Sequence, residues 1–527
     1  MKRSFPQRPI SLLGLNFDAP LETHCPMTNL QSRRRSFTDT SSQDDLRGTA
    51  IDGAVAVLGS RLLLTIIQLV STIALARLLT PDDFGLVGII APVAVLTSLF
   101  ADAGFSSSTM QAKEITHEQA SGLFWANVAL GLVSSVVLGA SGSLIAHFYG
   151  RHEIISLAPA YAGSLLISSL STQHVALLRR HLAFRQVAFM NVSAALSSTA
   201  VALFLAWRGW GYWALVAMAY TNALVCAAVA WYAMKWLPGP ARRGFGLRKM
   251  MGFGGYVAGG NVLYLVSENI VPIIIGKTAG AADVGLFGRA SRLTEQFIDQ
   301  VTAPLSQVAL PVLSKLQDER FRLQEAICQI LEKVTVLTFA LAGFLVVGGG
   351  DVVVLLLGHN WRNAGPAVQL LAVGALAWPI SRVLASSMIA LGHSRAMFAW
   401  SWFSLAIRLL TVGIGAAWGL VGVTAAIAVS QWIGLALFSF YVAKYLPVSV
   451  SDIVRRLYPS GVAVALALCG TALIAAALGI DNVQLRLTTV LAEFASLYVI
   501  GHAASKAGRR VMRDTLGFAR EVISLRF

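Results

Sequence analysis

Residues 77–88 read RLLTPDDFGLVG, and residues 277–288 read KTAGAADVGLFG. The two align without a gap at an offset of 200 residues (277 against 77), with Asp83/Asp283, Gly85/Gly285, Leu86/Leu286 and Gly88/Gly288 identical and Arg77 opposite Lys277. Each copy closes one long apolar run and opens the next. The pair therefore marks the same corner in two halves of a duplicated membrane bundle. Its acid and glycines read as turn chemistry between two helices.

Composition supports that class. The chain has 527 residues, 56% hydrophobic and 13% charged, with mean hydropathy +0.67. A soluble domain carries about 25% charged residues, and about 20 consecutive apolar residues cross a bilayer as a helix. Long unbroken apolar runs exclude a transmembrane β-barrel, whose strands alternate. The four cysteines, Cys25, Cys226, Cys328 and Cys469, form no CxxC pair. Neither a disulfide framework nor a thiolate metal site follows.

The fold class is an all-α polytopic membrane protein of about fourteen transmembrane helices. The spans read 53–76, 84–106, 121–148, 154–177, 187–207 and 210–234 in the first half. The second half gives 253–276, 284–312, 326–348, 366–391, 397–418 and 421–443, and two more follow at 459–479 and 484–502. The expected organisation is a disordered cytoplasmic tail (1–50), a first six-helix lobe (51–235), a basic linker (236–252), a second lobe (253–445), helices thirteen and fourteen (459–502), and a basic tail (503–527). Met27 is a second candidate start.

An even number of spans places both termini on one side. With that side cytoplasmic, 29 of the 41 Lys and Arg lie there, 6 in the opposite loops and 6 within spans. Orientation follows this bias. The net charge of +15 is thus a topology signal, and nucleic acid is not an expected partner. Membrane lipids are, and the Arg33–Arg35 cluster suits anionic headgroups. Six spans separate the two corners, so both face the periplasm and the halves are parallel repeats around a central cavity.

Further stretches give the family. FWANVALG (124–131), HLAFRQVAF (181–189), GWGYWALV (209–216), GRASRL (288–293), VALPVLSKLQD (308–318) and LLLGHNWRNAGPAVQLLA (355–372) follow the corner and FADAGFSSSTMQ (100–111) in order. Over roughly Gly53 to Leu446 the chain resembles bacterial polysaccharide–lipid flippases of the Wzx type. The resemblance implies a fold shared with multidrug-and-toxin extruders and lipid II flippases, two six-helix lobes around a cavity. It implies a substrate, an undecaprenyl-diphosphate-linked oligosaccharide moved from the cytoplasmic to the periplasmic leaflet of the inner membrane for exopolysaccharide or lipopolysaccharide synthesis. A polysaccharide polymerase and export machinery are the partners it suggests.

No catalytic constellation, cofactor motif or metal spacing is visible. The nine histidines are dispersed, and the glycine-rich GFGLRKMMGFGG (244–255) follows no strand. The reading is a transporter, not an enzyme. Ionisable residues inside spans are costly and therefore mark function. Arg61, Arg289, Arg292, Arg382 and Arg408 are the candidates for binding diphosphate and sugar, because guanidinium matches phosphate bidentately. Glu268, Glu295 and Asp299 are the candidates for ion coupling. Arg292 lies roughly 12 Å along its span, and Arg61 roughly 13 Å from its cytoplasmic end. The polar face of span 8, with Arg292/Glu295 and Glu295/Asp299 at helical spacing, suits either a watery cavity or an internal ion pair. Pro379 should kink span 10 beside Arg382.

Alternating access between the lobes is the expected mechanism. Two rivals stay open: a cation-coupled drug or small-solute exporter of the same fold, and a non-transporting scaffold of a polysaccharide synthesis complex.

Overall fold

The computed structural model describes residues 43–102, 109, 115–240, 255–478, 480 and 482–524. Most of the N-terminal tail, the linker from 241 and much of FADAGFSSSTMQ lie outside the described residues. The first lobe comprises α1 (Gln43–Leu78), α2 (Pro81–Asp102), α3 (His117–Tyr149), α4 (Ile154–Arg180), α5 (Phe184–Trp207) and α6 (Trp213–Met234). The second comprises α7 (Gly255–Thr278), α8 (Ala281–Lys315), α9 (Arg320–Leu357), the broken pair α10 (Gly365–Ala375) and α11 (Trp378–Ala390), α12 (Ser394–Gly415) and α13 (Gly419–Val442). Then come α14 (Val450–Leu478), α15 (Val483–Ala504) and α16 (Lys506–Ser524).

Each of the fourteen expected spans thus has its helix, span 10 as the broken pair. By length and composition, nine of the described stretches can cross a membrane, or ten with that pair counted as one span. One of them, Ser394–Val442, holds both α12 and α13. Gly419 at φ +63° reverses the chain between them, and Gly415 and Gly422 let the two backbones touch.

Three boundaries differ from the sequence reading. Helix α1 begins at Gln43, inside the segment expected to be disordered. Helix α9 runs on to Leu357, followed by a 3-10 turn over His359–Ala364, so the expected outer loop at 349–365 is mostly helical. The basic tail forms α16, whose Gly508, Val511 and Thr515 are buried while Lys506, Arg509, Arg510 and Arg513 are exposed. Apolar content identified the spans, whereas the α9 extension and α16 are helical through periodicity and docking, which a hydropathy run does not register.

The lobes meet at the repeated corner. Asp83 does supply turn chemistry. Its carboxylate accepts from the Thr80 backbone N–H (2.9 Å) and hydroxyl (2.7 Å), and the Thr80 hydroxyl accepts from Asp83 N–H (3.3 Å). With Pro81 as first helical residue, this caps α2. The matched glycines do something else, correcting their reading as turn residues. They sit inside α2 and α8 and bring the two helices into backbone contact. A Cβ on Gly85 would overlap the carbonyl oxygen of Ala281, and one on Gly285 that of Pro81. The glycine that does turn the chain is Gly280, at φ +92°.

Each lobe also grips the other through its third helix. Arg77, ending α1, donates from Nη2 to Leu355 O (2.7 Å) and from Nε to Leu356 O (3.3 Å) at the C-terminus of α9. Lys277, ending α7, donates to Phe148 O (2.8 Å) at the C-terminus of α3. Cations at helix C-termini satisfy orphan carbonyls and the dipole together. Beside these, buried Trp361 donates to Ala76 O (2.7 Å), and Tyr149 packs on Gly276, the equivalent of Ala76. One apolar core, including Leu75, Phe84, Ile275 and Leu286, continues across the boundary.

Helices α14 and α15 fasten to α9. Arg486 pairs with Asp351, Tyr498 donates to Val336 O (2.8 Å), and Phe494 and Val464 fill the space over Gly343.

Candidate functional site

Away from the corner, α1 of the first lobe and α8 of the second approach one another at the lobe boundary. Arg61, Thr65, Gln68 and Thr72 fall at i, i+4, i+7 and i+11, one stripe of α1. On α8, Arg292 and Gln296 stand at i and i+4, and Gln296 Nε2 reaches Thr65 O at 3.5 Å. Arg61 and Arg292 are both exposed. Among the described residues, neither forms an ion pair.

The other arginines are held differently. In the second lobe a cavity of about 400 Å³ opens between α7, α8, α10–α11, α12 and α13. Arg408 crosses it to Glu268, with Nη1–Oε1 at 2.5 Å and Nη2–Oε2 at 3.2 Å. Only 13% of the Arg408 side chain is exposed, so this bidentate pair neutralises two charges that the apolar interior would otherwise penalise. Glu295, Tyr264, Trp378 and Trp400 share the cavity. Arg382 donates to Asp299 Oδ1 (2.8 Å) while its guanidinium lies 4.3 Å from the centre of the Trp378 ring. The α10–α11 bend beside it is 41°. Asp299 therefore meets Arg382 on another helix, and the internal α8 pairing that spacing allowed is not the one formed.

Arg289 belongs to neither group. Its guanidinium stacks 4.1 Å from the centre of the Phe84 ring. It lines a first-lobe cavity of about 790 Å³ between α2, α4, α5, α6 and α8. Sequence reasoning missed this cavity because its lining is uncharged apart from Arg289 and Arg179, and serine or asparagine within a span carries no strong hydropathy signal. It missed the stripe of α1 beyond Arg61 for the same reason.

Of the eight sequence candidates, the structure thus joins Glu268 with Arg408 and Asp299 with Arg382. It puts Glu295 beside the first pair, leaves Arg61 and Arg292 exposed, and gives Arg289 to the first-lobe cavity. Among the described residues, no group of three or more His, Cys, Asp or Glu is placed to hold a metal ion.

Against known proteins, the profile of the family described as "Polysaccharide biosynthesis protein" matches residues 74–366. The lipopolysaccharide biosynthesis protein WzxC of Escherichia coli (strain K12) is 24% identical, covering 76% of this chain and 82% of that protein. The teichuronic acid biosynthesis protein TuaB of Bacillus subtilis (strain 168) is 25% identical over 65% and 71%. The succinoglycan biosynthesis transport protein ExoT of Rhizobium meliloti (strain 1021) is 24% identical over 66% and 70%. Among solved structures, the lipid II flippase MurJ, in an inward closed conformation, superposes with TM-score 0.67 at 15% identity, covering 86% of this chain and 98% of that one. An inward-facing MATE-family multidrug resistance transporter gives 0.58 at 16% identity, over 76% and 99%.

Proposed function

Since the chain belongs to the polysaccharide biosynthesis protein family, we propose that it flips oligosaccharide repeat units linked to undecaprenyl diphosphate across the cytoplasmic membrane by alternating access. The observation that carries this reading is the two exposed arginines outside any described ion pair, Arg61 on α1 and Arg292 on α8, on helices that approach at Thr65 and Gln296. The cleft assigned between them is the diphosphate site. A diphosphate supplies the anionic oxygens that such groups bind bidentately, and a site on both lobes can be presented to either side as they rock.

The charge bias along the chain puts both termini in the cytoplasm. The latched corner is then periplasmic, and Arg61 and Arg292 lie on the cytoplasmic side of it, toward the face where substrate is made. The units that rock are the lobes 51–235 and 253–445. The polyprenyl chain stays in lipid, with α14 and α15 as an apolar surface beside it. Glu268–Arg408 and Asp299–Arg382 supply the coupling. Protonation of either carboxylate releases its arginine, and Glu295 offers a third proton site in the same lobe. This tunes the lobe by charge and calls for no catalytic group or nucleotide. A polymerase and export machinery would take the product on the periplasmic side.

A second reading has one observation in its favour. The second-lobe cavity combines Glu268 and Glu295 with Tyr264, Trp378 and Trp400, a lining that suits an organic cation. Arg408 already occupies Glu268, which weighs against it.

The experiment is reconstitution of the purified full-length protein in liposomes. Repeat-unit lipid is supplied on one side, and its appearance on the other is followed. Arg61→Ala and Arg292→Ala should each slow translocation at least tenfold. Wild-type rates in both variants would remove the cleft from consideration, and transport of organic cations without lipid-linked sugar would favour the second reading.

A further inference from the structure

The first-lobe cavity has a chemistry of its own. Ser164 Oγ donates to Tyr161 O (2.7 Å), Ser171 Oγ to Ser168 O (2.8 Å), Thr172 Oγ1 to Ser168 O (3.3 Å) and Ser198 Oγ to Ala195 O (3.2 Å). Each hydroxyl gives its only proton to its own helix, so what it offers the cavity is oxygen lone pairs. Asn191 and Asn222, on α5 and α6, add carboxamides able to donate and accept. Among the described residues, no acidic side chain lines the cavity. These acceptors and two amide forks, set in an otherwise largely apolar wall with Arg179 and Arg289, suit a sugar, which presents both hydroxyls and apolar ring faces. An alkyl chain would leave those oxygens unpaired, and an organic cation would find no carboxylate.

Position ties this cavity to the cleft. Arg289 lines it, and Arg292 follows one helical turn further along α8, at the cleft assigned above. A phosphate at Arg292 therefore hands its substituent past Arg289 and the Phe84 ring into the first lobe. The second-lobe cavity suits a phosphate less well, because Glu295 stands in its wall and Arg408 is already paired with Glu268. At about 790 Å³ the first-lobe space lies within the ~300–1,000 Å³ of ordinary small-molecule sites.

We propose that the first-lobe cavity is the glycan subsite, taking the hydroxyl-bearing sugars proximal to the diphosphate on the Asn191 and Asn222 carboxamides and the serine oxygens of α4 and α5. This rests on the cleft being the diphosphate site. It predicts an unequal division of labour between the halves: the first lobe reads the cargo, and the second holds the ion pairs.

The test is binding to the full-length protein in lipid nanodiscs with two probes. One is repeat-unit lipid extracted from a strain lacking this gene; the other is undecaprenyl diphosphate without sugar. The wild type should bind the glycan-bearing lipid at least tenfold more tightly. The Asn191→Ala/Asn222→Ala double variant should erase that ratio while leaving undecaprenyl diphosphate binding unchanged. Ala219→Leu, which narrows the cavity without removing a polar group, should give the same selective loss and stands in if the double variant fails to fold. Wild-type protein that binds neither lipid would overturn the diphosphate reading and this subsite with it. Wild-type protein that binds both, with a ratio unmoved by these variants, would overturn the subsite alone.

Discussion

Gly85 and Gly285 face one another across the lobe boundary, each set against the carbonyl oxygen of the other half's corner. The carbonyls belong to Ala281 and Pro81, themselves 200 positions apart (281 against 81), so the contact is two-fold symmetric. Backbone approaches that close exist only without a Cβ. Gly85→Ala or Gly285→Ala should force the corner apart, at an overpacking cost of about 1–3 kcal/mol. The expected outcome is a lower unfolding temperature in detergent. A single cysteine at Val87 in an otherwise cysteine-free protein should also react faster with a membrane-impermeant maleimide added from the corner side. Unchanged labelling would mean that the glycines do not close the bundle.

Arg77 and Lys277 complete the same two-fold latch from the side-chain end. Each exposed cation at a helix C-terminus contributes about 0.3–1 kcal/mol, and the two lie on different helix pairs with no shared partner. Their effects on corner opening should therefore add. Arg77→Ala and Lys277→Ala should each raise maleimide labelling at Val87→Cys severalfold, with the double variant near the product of the two. Strong non-additivity would show that one latch depends on the other.

The duplication, and with it most of the fold, was legible because apolar runs are long and because four identities survived at a fixed offset. What those identities do was not. Gly85 and Gly285 look like turn glycines beside Asp83 and Asp283, and only the packing of α2 on α8 shows that they serve contact between halves. The costly charges were legible one at a time, since Arg408 and Glu268 stand out in any apolar run. Their pairing was not, because 140 residues separate them and helical spacing speaks only for neighbours on one helix. The first-lobe lining stayed hidden because serine and asparagine hardly alter hydropathy.

Glu268 and Arg408 offer a test of what holds the second lobe. Removing one charge leaves the other poorly solvated, so Glu268→Gln and Arg408→Gln should each destabilise the protein by roughly 3 kcal/mol. The exchange Glu268→Arg/Arg408→Glu restores the pair and should recover most of that loss in thermal unfolding. It should not recover translocation, because the exchange reverses the order of charges along the cavity. Failure of the exchange to recover stability would show that the two side chains act through separate contacts.

At the corner of the first lobe, Arg151 binds Asp82 (2.6 Å) and Glu153 (3.3 Å). The Glu153 carboxyl is held below its ordinary value of 4.5 by its own backbone N–H first and by Arg151 second. A carboxyl depressed in the folded state contributes stability above its unfolded pKa, and that contribution is lost as pH falls through the folded value. Glu153→Gln should accordingly lower the unfolding temperature at pH 7. The gap to wild type should close below about pH 4. A gap that persists at pH 3 would assign the effect to packing.

Pro379 explains why span 10 breaks where it does. A proline ring collides with the carbonyl four residues earlier and offers no N–H to it, and that carbonyl belongs to Ala375, the last residue of α10. The chain tightens instead, with Ala377 N–H on Gly374 O at 3.0 Å, and α11 restarts at a bend of 41°. The bend presents Trp378 to Arg382, which in turn reaches Asp299 on α8. Pro379→Ala restores the missing donor and allows α10 and α11 to join as one helix. The variant should keep or raise its thermal stability yet lose the Arg382–Asp299 contact, and translocation should fall severalfold with expression unchanged. Replacing Asp299 by Asn in that background should then add little, because the contact it would break is already gone. A further large loss would show that Arg382 still reaches Asp299 across a straightened helix and that the bend has no part in placing it.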